Sequence, residues 1–308
     1  MKKLNKNFDG IHLFSGGLDS IVSYFILKEM GYNPLVVYFE TPFFTSEKAQ
    51  DIADKNRIKL VVENVFGEYL KILKKPVYGY GKNLNPCIDC KAFMINRAID
   101  MAVENGYKYV STGEVLNQRP MSQTFQGLKK IEKLLKRKDL LIRPLSEELL
   151  KGKFETNKFF EDKTLLSIEG RKRDIQLDLA KRYNIKDFSS PSGGCLLTYK
   201  EYSQKIKILL ELEVKEERYF KMVKHCRVVK FEKSIGFIGR DKEDNEKLLQ
   251  LSKNDKVYQI EDKKGPVGIF LGEDKNDFQE FLKKMVFYSK RNETSLHLIK
   301  EIKIGDGA

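Results

Sequence analysis

The sequence predicts an α/β protein, in which helices cover both faces of a parallel sheet, followed by a smaller α+β domain. Over the first two thirds of the chain, short apolar runs alternate with segments of helical apolar spacing, the pattern of strand–helix–strand units. After about Lys200 this alternation gives way to short strands among charged helices. The length of 308 residues also favours two domains. We expect them to comprise residues 1–200 and 201–308.

Each strand of the predicted N-terminal sheet is a short apolar run. The predicted strands are Ile11–Phe14, Leu35–Phe39, Leu60–Val65, Tyr107–Ser111 and Leu140–Ile142. The predicted helices are Leu18–Met30, Ser46–Arg57, Glu68–Leu73 and Cys90–Glu104. Open α/β sheets bind ligands at the carboxyl ends of their strands, so the residues that follow these strands are the first candidates for a site.

The predicted C-terminal domain begins with one long charged helix, Tyr202–Val223. Its predicted strands are Arg227–Phe231, Ile235–Ile238, Val257–Ile260 and Val267–Leu271. Two further helices are predicted over Glu243–Leu251 and Asn276–Phe287. Short strands set among helices indicate a separate α+β domain.

The composition excludes several classes of protein. With 41% hydrophobic residues, 8 Pro and 21 Gly, the chain can form a core and is neither disordered nor collagen-like. No run approaches the roughly 20 apolar residues of a membrane span, and the first nine residues lack the apolar stretch of a signal peptide. Four cysteines in this length do not form a disulfide scaffold. We therefore expect a soluble, cytoplasmic protein with no membrane partner.

The net charge of +13 is concentrated in the predicted N-terminal domain. Residues 1–200 carry 34 Lys and Arg against 24 Asp and Glu, whereas residues 201–308 carry 23 against 20. A basic stretch, Leu128–Lys138, contains six cations and one anion. This balance favours a polyanionic partner such as nucleic acid, although solvated lysine-rich helices give the same pattern.

A glycine-rich turn, Ser15-Gly16-Gly17-Leu18-Asp19-Ser20, joins the first predicted strand to the first helix. Adjacent glycines let the backbone approach an anion, and the helix N-terminus adds unpaired N–H groups. Ser15 and Ser20 supply hydroxyl donors, and Asp19 suits a Mg²⁺ ion that bridges to a nucleotide. An ordinary glycine turn with a Ser or Asp helix cap has the same composition, so both interpretations stay open at this point.

In this position the hexapeptide resembles the PP-loop of the ATP pyrophosphatase superfamily, whose Rossmann-like fold is of the adenine nucleotide alpha hydrolase type. The superfamily includes enzymes for many substrates. In it the loop holds the pyrophosphate of ATP, and the enzyme adenylates a carbonyl oxygen and releases pyrophosphate. The resemblance implies that ATP and Mg²⁺ bind at Ser15, Gly16, Gly17, Asp19 and Ser20.

Further segments resemble one branch of that superfamily, the tRNA thiouridine synthases. Cys87-Ile-Asp-Cys90-Lys91-Ala-Phe-Met94 is similar to the CxxCK..M segment of tRNA 4-thiouridine synthetases, and residues 112–123 are similar to their TGE..GQ...SQ segment. The RPL that follows in those enzymes matches Arg143-Pro144-Leu145, and the resemblance spans about residues 10–200. The nucleotide-binding residues that it implies in these segments are Gly113, Glu114, Gln118 and Arg143, with Lys91 and Arg119 as further cations. For Ser122 and Gln123, loop hydrogen bonds are an equally good explanation.

The cysteines indicate how sulfur would be delivered once adenylation has made the uridine oxygen a good leaving group. Cys87 and Cys90 form a CxxC at a helix start, where a thiolate is favoured, and Cys195 is distant in sequence. A CxxC plus one cysteine resembles the PP-loop thiolases in which three thiolates hold a [4Fe–4S] cluster with one open iron, and we favour this interpretation. A persulfide relay, a zinc site and three unrelated buried thiols are the alternatives. Together with Asp19 these three cysteines are the expected catalytic residues, and Cys226 is expected to be a bystander.

The function implied by the resemblance is ATP-dependent tRNA thiolation, with 4-thiouridine favoured over 2-thiouridine as the product. The sulfur donor would be sulfide or the persulfide of a cysteine desulfurase. The first strand begins by about residue 10, so we expect no N-terminal RNA-binding domain of the kind that 4-thiouridine synthetases carry. Phe237–Leu249 resembles part of a small RNA-binding module of ribosome-associated quality-control factors. A sulfur transferase for a small molecule is the second hypothesis, and a non-catalytic RNA-binding protein is the third.

Overall fold

The computed structural model describes residues 7–190, 194–261, 265–289 and 293–302. By the contacts among residues, the chain divides into two compact units, Met1–Cys195 and Leu196–Ala308. Five parallel strands form the sheet of the N-terminal unit: β1 (Gly10–Leu13), β2 (Pro34–Glu40), β3 (Leu60–Asn64), β4 (Tyr109–Thr112) and β5 (Leu141–Ile142). Their order in the sheet is β3-β2-β1-β4-β5, with β1 pairing in parallel with both β2 and β4. The predicted α/β class is confirmed.

Seven helices connect and cover the described strands of this unit. They are α1 (Leu18–Glu29), α2 (Glu47–Lys55), α3 (Phe66–Lys74), α4 (Cys87–Asn105), α5 (Phe125–Leu134), α6 (Glu147–Leu150) and α7 (Asp174–Arg182). One core cluster joins α4 and α5 to the sheet through Ile11, Ile95 and Ile131, and another joins α1 and α7 to it through Leu18, Tyr109 and Ala180. The sheet is therefore buried on both faces, which explains why its strands are continuous apolar runs.

The C-terminal unit is built on an antiparallel sheet. Its strands are β6 (Arg227–Lys230), β7 (Ile235–Ile238), β8 (Val257–Ile260), β9 (Gly268–Leu271) and β10 (Ile299–Ile302), in the order β10-β8-β9-β7-β6. Its helices are α8 (Lys200–Glu211), α9 (Glu217–Met222), α10 (Lys242–Ser252) and α11 (Lys275–Tyr288). This unit is of the α+β class, as predicted.

The single long helix predicted over Tyr202–Val223 is wrong, because the chain breaks it into α8 and α9. The break is a helix C-cap in which Glu213 adopts a left-handed conformation with φ 52°. The Val214 N–H then donates to the Leu209 carbonyl at 2.9 Å, and the Glu213 N–H donates to the Leu210 carbonyl at 3.2 Å. This is a Schellman arrangement, which usually has glycine at the left-handed position. Here that position is Glu, so the sequence carries no stop signal.

Within the parts of the chain that the structure describes, no helix is both long enough and apolar enough to cross a membrane.

A close backbone approach fixes α1 against the loop that follows β4. A Cβ atom built on Gly113 would lie 2.6 Å from the Ser20 nitrogen and 2.7 Å from the Asp19 carbonyl carbon. Both of those atoms belong to backbone, which cannot rotate away as a side chain can. Only glycine therefore allows the first turn of α1 to pack on this loop.

We expect Gly113→Ala to lower the free energy of unfolding of the protein by about 1–3 kcal/mol, the usual cost of overpacking. Gly67→Ala is the matched control, because Gly67 lies exposed in α3 and a Cβ there meets nothing within 4 Å. That change should be neutral or stabilise by up to about 1 kcal/mol. Urea denaturation followed by circular dichroism measures both. Equal stability of the two variants would contradict the close approach.

Candidate active site

The turn between β1 and α1 is closed by its own serine side chains. Gly16 takes a left-handed conformation with φ 70°, which glycine adopts without strain. The Ser20 hydroxyl donates to the Gly17 carbonyl at 2.8 Å and accepts from the Ser15 hydroxyl at 3.2 Å. The turn leads directly into α1, whose first N–H groups have no partner within the helix. These are the features of an anion-binding turn.

The segment that leads to Cys195 is attached to this turn. The Ser189 N–H donates to the Gly16 carbonyl at 2.7 Å, and Gly17 and Ser189 form an isolated parallel bridge. A Cβ on Gly16 would lie 3.3 Å from the Cα of Ala49 in α2, so the turn is also packed tightly from its other side. Ser189, six residues before Cys195 in the chain, therefore lies against the predicted phosphate-binding residues.

Asp19 is a buried carboxylate that contacts two other parts of the N-terminal unit. Gln118, from the loop after β4, donates its Nε2 to Asp19 Oδ2 at 2.7 Å. From α7 and the residue before it, Gln176 Nε2 lies 3.4 Å from Oδ1, and an Arg173 guanidinium nitrogen lies 3.5 Å from Oδ2. Burial raises the pKa of Asp19, and the nearby Arg173, the Gln118 amide and Arg119 oppose that shift. The neighbours thus favour the charged form that burial disfavours.

The residues around Asp19 fit a Mg²⁺ ion. The side-chain oxygens of Gln118 and Gln176 are buried and have no hydrogen-bond partner among the described residues. Mg²⁺ prefers carboxylate and carbonyl oxygens, and both amide groups belong to residues that already contact the Asp19 carboxylate. Asp19 is therefore the residue that would hold the ion, which would neutralise phosphate charge there. Gln118 and Gln176 reach Asp19 through their amide nitrogens, so either amide would have to rotate to offer the ion its oxygen.

Glu114 and Arg143, predicted as nucleotide ligands, belong to a buried ion-pair network. Arg143 Nε donates to Glu114 at 3.0 Å and Nη1 donates to Glu132 at 2.7 Å. The backbone N–H of Arg143 also donates to the Glu147 carboxylate at 2.7 Å. Each of the two predicted ligands has one buried side-chain atom without a hydrogen-bond partner among the described residues. These atoms are Nη2 of Arg143 and Oε1 of Glu114. A nucleotide-binding role for these two residues stays a prediction.

Three of the other residues in the resembling segment belong to the loop after β4 that carries Gln118. Ser122 and Gln123 are buried, and the Gln123 carbonyl accepts from the Asn117 N–H at 2.6 Å, a loop-closing bond. The Gln123 side-chain oxygen has no partner in the described part of the chain. Arg119 is exposed and interacts electrostatically with Asp19, whereas Lys91 acts on the neighbouring Cys90 thiol.

All three predicted sulfur-site cysteines interact electrostatically with one buried hydroxyl, that of Tyr69 in α3. Cys87 and Cys90 occupy the first turn of α4, and the Tyr69 hydroxyl lies beside the Cys90 thiol. Cys195 also faces Tyr38 of β2 together with Cys90. Burial and the cysteines raise the pKa of Tyr69. The distant Cys195 therefore lies near the CxxC in the folded unit.

The helix-start position of the CxxC does not give Cys90 a low pKa. Burial raises the pKa of the Cys90 thiol to about 11, and Tyr69 and Lys91 oppose that shift only in part. The expectation of a favoured thiolate is therefore wrong for this residue. Cys87 differs in its contacts, since the Asn85 amide lies 3.1 Å from its sulfur.

The described residues include no group of three His, Cys, Asp or Glu side chains that could hold a metal ion as arranged here. The three cysteines thus do not present a preformed ligand set for a cluster. Cys226 lies buried in the C-terminal unit, where Lys205, Asp244 and Arg240 are its charged neighbours and burial raises its pKa to about 12.

Sequence reasoning missed His12, which lies beneath the turn between β1 and α1. It is fully buried on β1, and its Nε2 lies 2.7 Å from the Ser20 carbonyl, an acceptor that requires the proton on Nε2. Its Nδ1 lies 2.8 Å from the Ser111 hydroxyl of β4. Burial lowers the pKa of His12 to about 4. The neutral ring therefore joins β1, β4 and the first turn of α1.

Arg173 and Gln176 were also missed. No local sequence pattern marks them, because they lie about 155 residues beyond Asp19 and meet it only through the packing of α7 on α1. The signal that was available is weak: a run of cations, Arg171-Lys172-Arg173, directly before a helix start.

Parts of this chain are similar in sequence to known proteins. Residues 7–148 match the family model described as thiamine biosynthesis protein (ThiI). The resemblance to the PP-loop tRNA-thiolation superfamily is confirmed. A tRNA-specific 2-thiouridylase of Fusobacterium nucleatum is 27% identical over 200 residues, which are 61% of this chain and 55% of that protein. A probable tRNA sulfurtransferase of Thermoanaerobacter is 32% identical over 134 residues, 41% of this chain and 34% of that protein.

The PP-loop match lies within the N-terminal unit, and the matched segments span about a third to about half of these relatives. A solved 4-thiouridine synthetase in complex with RNA and ATP is 24% identical, with a TM-score of 0.37 over 57% of this chain and 50% of that one. The resemblance of the C-terminal unit to an RNA-binding module stays a prediction.

We expect His12 to make the stability of the protein fall in mild acid. Its folded pKa of about 4 lies below the ordinary 6.5, so between these values only the unfolded state takes up the proton. From pH 7 to pH 5 the wild type should lose about 2 kcal/mol more unfolding free energy than His12→Gln does. Urea titrations at both pH values measure this difference. Parallel pH dependence of the two proteins would rule out a buried neutral His12.

We expect alkylation of Cys90 by iodoacetamide to be slow at pH 8 and to rise about tenfold per pH unit, since its pKa is raised to about 11. Tyr69→Phe should slow alkylation further at pH 9, because the Tyr69 hydroxyl lowers the Cys90 pKa. Tyr24→Phe, in α1, is the control. Peptide mass spectrometry gives the rates. A pH-independent rate, or a faster Tyr69→Phe variant, would show that this thiol is not held in its neutral form.

Proposed function

We propose that this protein is an ATP-dependent tRNA sulfurtransferase that converts a uridine to thiouridine. The observation that carries the proposal is the juxtaposition of two kinds of chemistry in one unit. The glycine turn and Asp19 suit the phosphates of ATP, and the three thiols beside Tyr69 suit sulfur transfer. Ser189 connects them, since it bonds to Gly16 only six residues before Cys195.

The proposed reaction has two steps that balance without a further reactant. The uridine carbonyl oxygen attacks the α-phosphorus of ATP, the bond to the bridging oxygen breaks, and pyrophosphate leaves. A sulfur nucleophile then adds to the activated ring carbon, and AMP leaves with the former carbonyl oxygen. In the first step the N–H groups of the turn and the Ser15 and Ser20 hydroxyls bind the departing pyrophosphate. Asp19 binds the cation that accompanies it.

Support for a tRNA substrate comes from the named activities of the relatives and from the surface of α5. Lys129, Lys130 and Lys133 are exposed there and have no carboxylate partner among the described residues. The one anion of this stretch, Glu132, is turned inward to Arg143. An exposed helix face of one sign suits a polyanion, whose phosphates release counterions on binding. We favour 4-thiouridine over 2-thiouridine as the product.

Two sulfur routes are proposed for the cysteines. In one, Cys87, Cys90 and Cys195 gather to bind a [4Fe–4S] cluster, which requires them to move from the arrangement described above. In the other, a cysteine desulfurase transfers the outer sulfur of its own persulfide to one cysteine of this protein. That outer sulfur bonds to the activated ring carbon as AMP leaves, and a second cysteine then attacks the inner sulfur, which forms a disulfide and leaves the outer sulfur on the base. The high pKa of Cys90 makes it the poorer candidate for the attacking thiolate.

We expect anaerobically purified protein to incorporate sulfur into unmodified tRNA with Mg-ATP and a sulfur donor, either sulfide or a cysteine desulfurase with cysteine, as measured by mass spectrometry of the digested nucleosides. Asp19→Asn and Cys195→Ser should each lower the rate at least about 100-fold, since one loses the cation ligand and the other a sulfur-site thiol. Cys226→Ser is the matched control, because this cysteine lies buried in the C-terminal unit. It should keep the wild-type rate.

The outcomes of this assay separate the hypotheses. Chromatography of the nucleosides distinguishes 4-thiouridine from 2-thiouridine, and the iron content of the active protein distinguishes the two sulfur routes. ATP cleavage to AMP and pyrophosphate with a small molecule that accepts sulfur, but never with tRNA, would instead indicate a small-molecule sulfur transferase. Full activity of Asp19→Asn would overturn the proposed role of the PP-loop.

A further inference from the structure

The start of α7 contributes charge to the PP-loop that neither the motifs nor the family match assign. Arg173 precedes α7 and lies 3.5 Å from Asp19, while Gln176 in its first turn lies 3.4 Å from the same carboxylate. Both residues fall outside the matched residues 7–148. They are held in place by the packing of α7 on α1, the helix that begins at the PP-loop.

The charges around Asp19 do not balance in the protein alone. Its carboxylate interacts with two guanidinium groups, those of Arg173 and Arg119. Arg171 and Lys172 are exposed and immediately precede Arg173 in the chain. The exposed Asp174 follows Arg173, so residues 171–174 carry three cations and one anion. Two guanidinium groups thus act on Asp19 beside the N-terminus of α1, which is itself the positive end of a helix dipole. A polyanion would pair with the guanidinium groups and would also interact favourably with the N-terminus of α1.

Asp19 does not need Arg173 to stay in place. Gln118 donates to one carboxylate oxygen at 2.7 Å, and Gln176 lies near the other. Gln176 is completely buried, and its own side-chain oxygen has no partner among the described residues. A buried amide oxygen without a hydrogen-bond partner lowers the stability of the protein unless a ligand supplies that partner. The two amides can thus hold Asp19 while Arg173, whose side chain keeps 19% of its surface exposed, turns to another anion.

We propose that Arg173 is a binding residue for the β- and γ-phosphates of ATP. In the free protein it pairs with Asp19, and when the nucleotide binds, its guanidinium passes to the phosphates that rest on the PP-loop. A guanidinium offers two parallel donors to phosphate oxygens, and such charge-assisted bonds are among the strongest in proteins. This inference rests on the proposed function, which makes ATP the ligand of the turn.

Equilibrium binding of Mg-ATP and of AMP to the full chain, by isothermal titration calorimetry, tests this proposal without tRNA or sulfur. We expect Arg173→Gln to weaken binding of Mg-ATP about 10-fold or more, the usual cost of one charge-assisted contact. Its affinity for AMP should stay unchanged, because AMP lacks the two phosphates. The control is Arg182→Gln, in the same helix, since Arg182 pairs with Glu29 and is 62% exposed. It should bind both nucleotides as the wild type does.

Each result decides a different point. Wild-type affinity of Arg173→Gln for Mg-ATP, or an equal loss for ATP and AMP, would overturn the role of Arg173 and leave the proposed function standing. A wild type that binds no ATP would overturn both. ATP binding with the expected Arg173 effect, but no tRNA thiolation, would overturn the proposed function alone. If Arg173→Gln shows no cooperative thermal unfolding transition, and so is not folded, Arg173→Lys replaces it. The affinities of Arg173→Lys for Mg-ATP and for AMP are then compared in the same way.

Discussion

Burial of one carboxylate, Asp19, constrains the geometry of the whole PP-loop region. A buried charge is tolerated only where hydrogen bonds and opposite charges surround it. Asp19 obtains these from Gln118 after β4 and from Arg173 and Gln176 at the start of α7. The loop after β4 and the start of α7 therefore cannot shift independently of the first turn of α1. The fold thereby brings distant parts of the sequence to one anion-binding turn.

A second constraint acts from beneath the same turn. His12 fills the space between β1 and the first turn of α1, and Gly113 lets the loop after β4 approach that turn at backbone distance. Both contacts act on the backbone of residues 19 and 20. A neutral imidazole is suited to this position because a carbonyl acceptor on one side and a hydroxyl on the other satisfy both ring nitrogens without charge. Rigidity of the turn is thus built into the sheet.

The sequence predicted those parts of the site that local pattern specifies. The glycine turn follows an apolar run, and Gln118 follows another, and because β1 and β4 are neighbours in the sheet the two must meet at its carboxyl edge. Arg173, Gln176 and His12 escaped because their roles depend on packing between segments far apart in the chain. The strand β10 and the helix break at Glu213 were not predicted because of their own residues. The first has only four residues, with Lys300 and Glu301 at its two central positions, and the second uses Glu where a glycine would have marked the helix end.

The sulfur site faces opposite demands from burial and reactivity. Transfer of sulfur needs a thiolate, yet burial holds Cys90 in its neutral form. The Tyr69 hydroxyl is buried beside all three thiols, and among the described residues it has no well-oriented hydrogen-bond partner. Its own pKa is raised by the same surroundings, so it keeps its proton and can act only as a donor to a developing negative charge on sulfur. Tyr69 therefore opposes the effect of burial on the Cys90 thiol, at a position that no cysteine motif reveals.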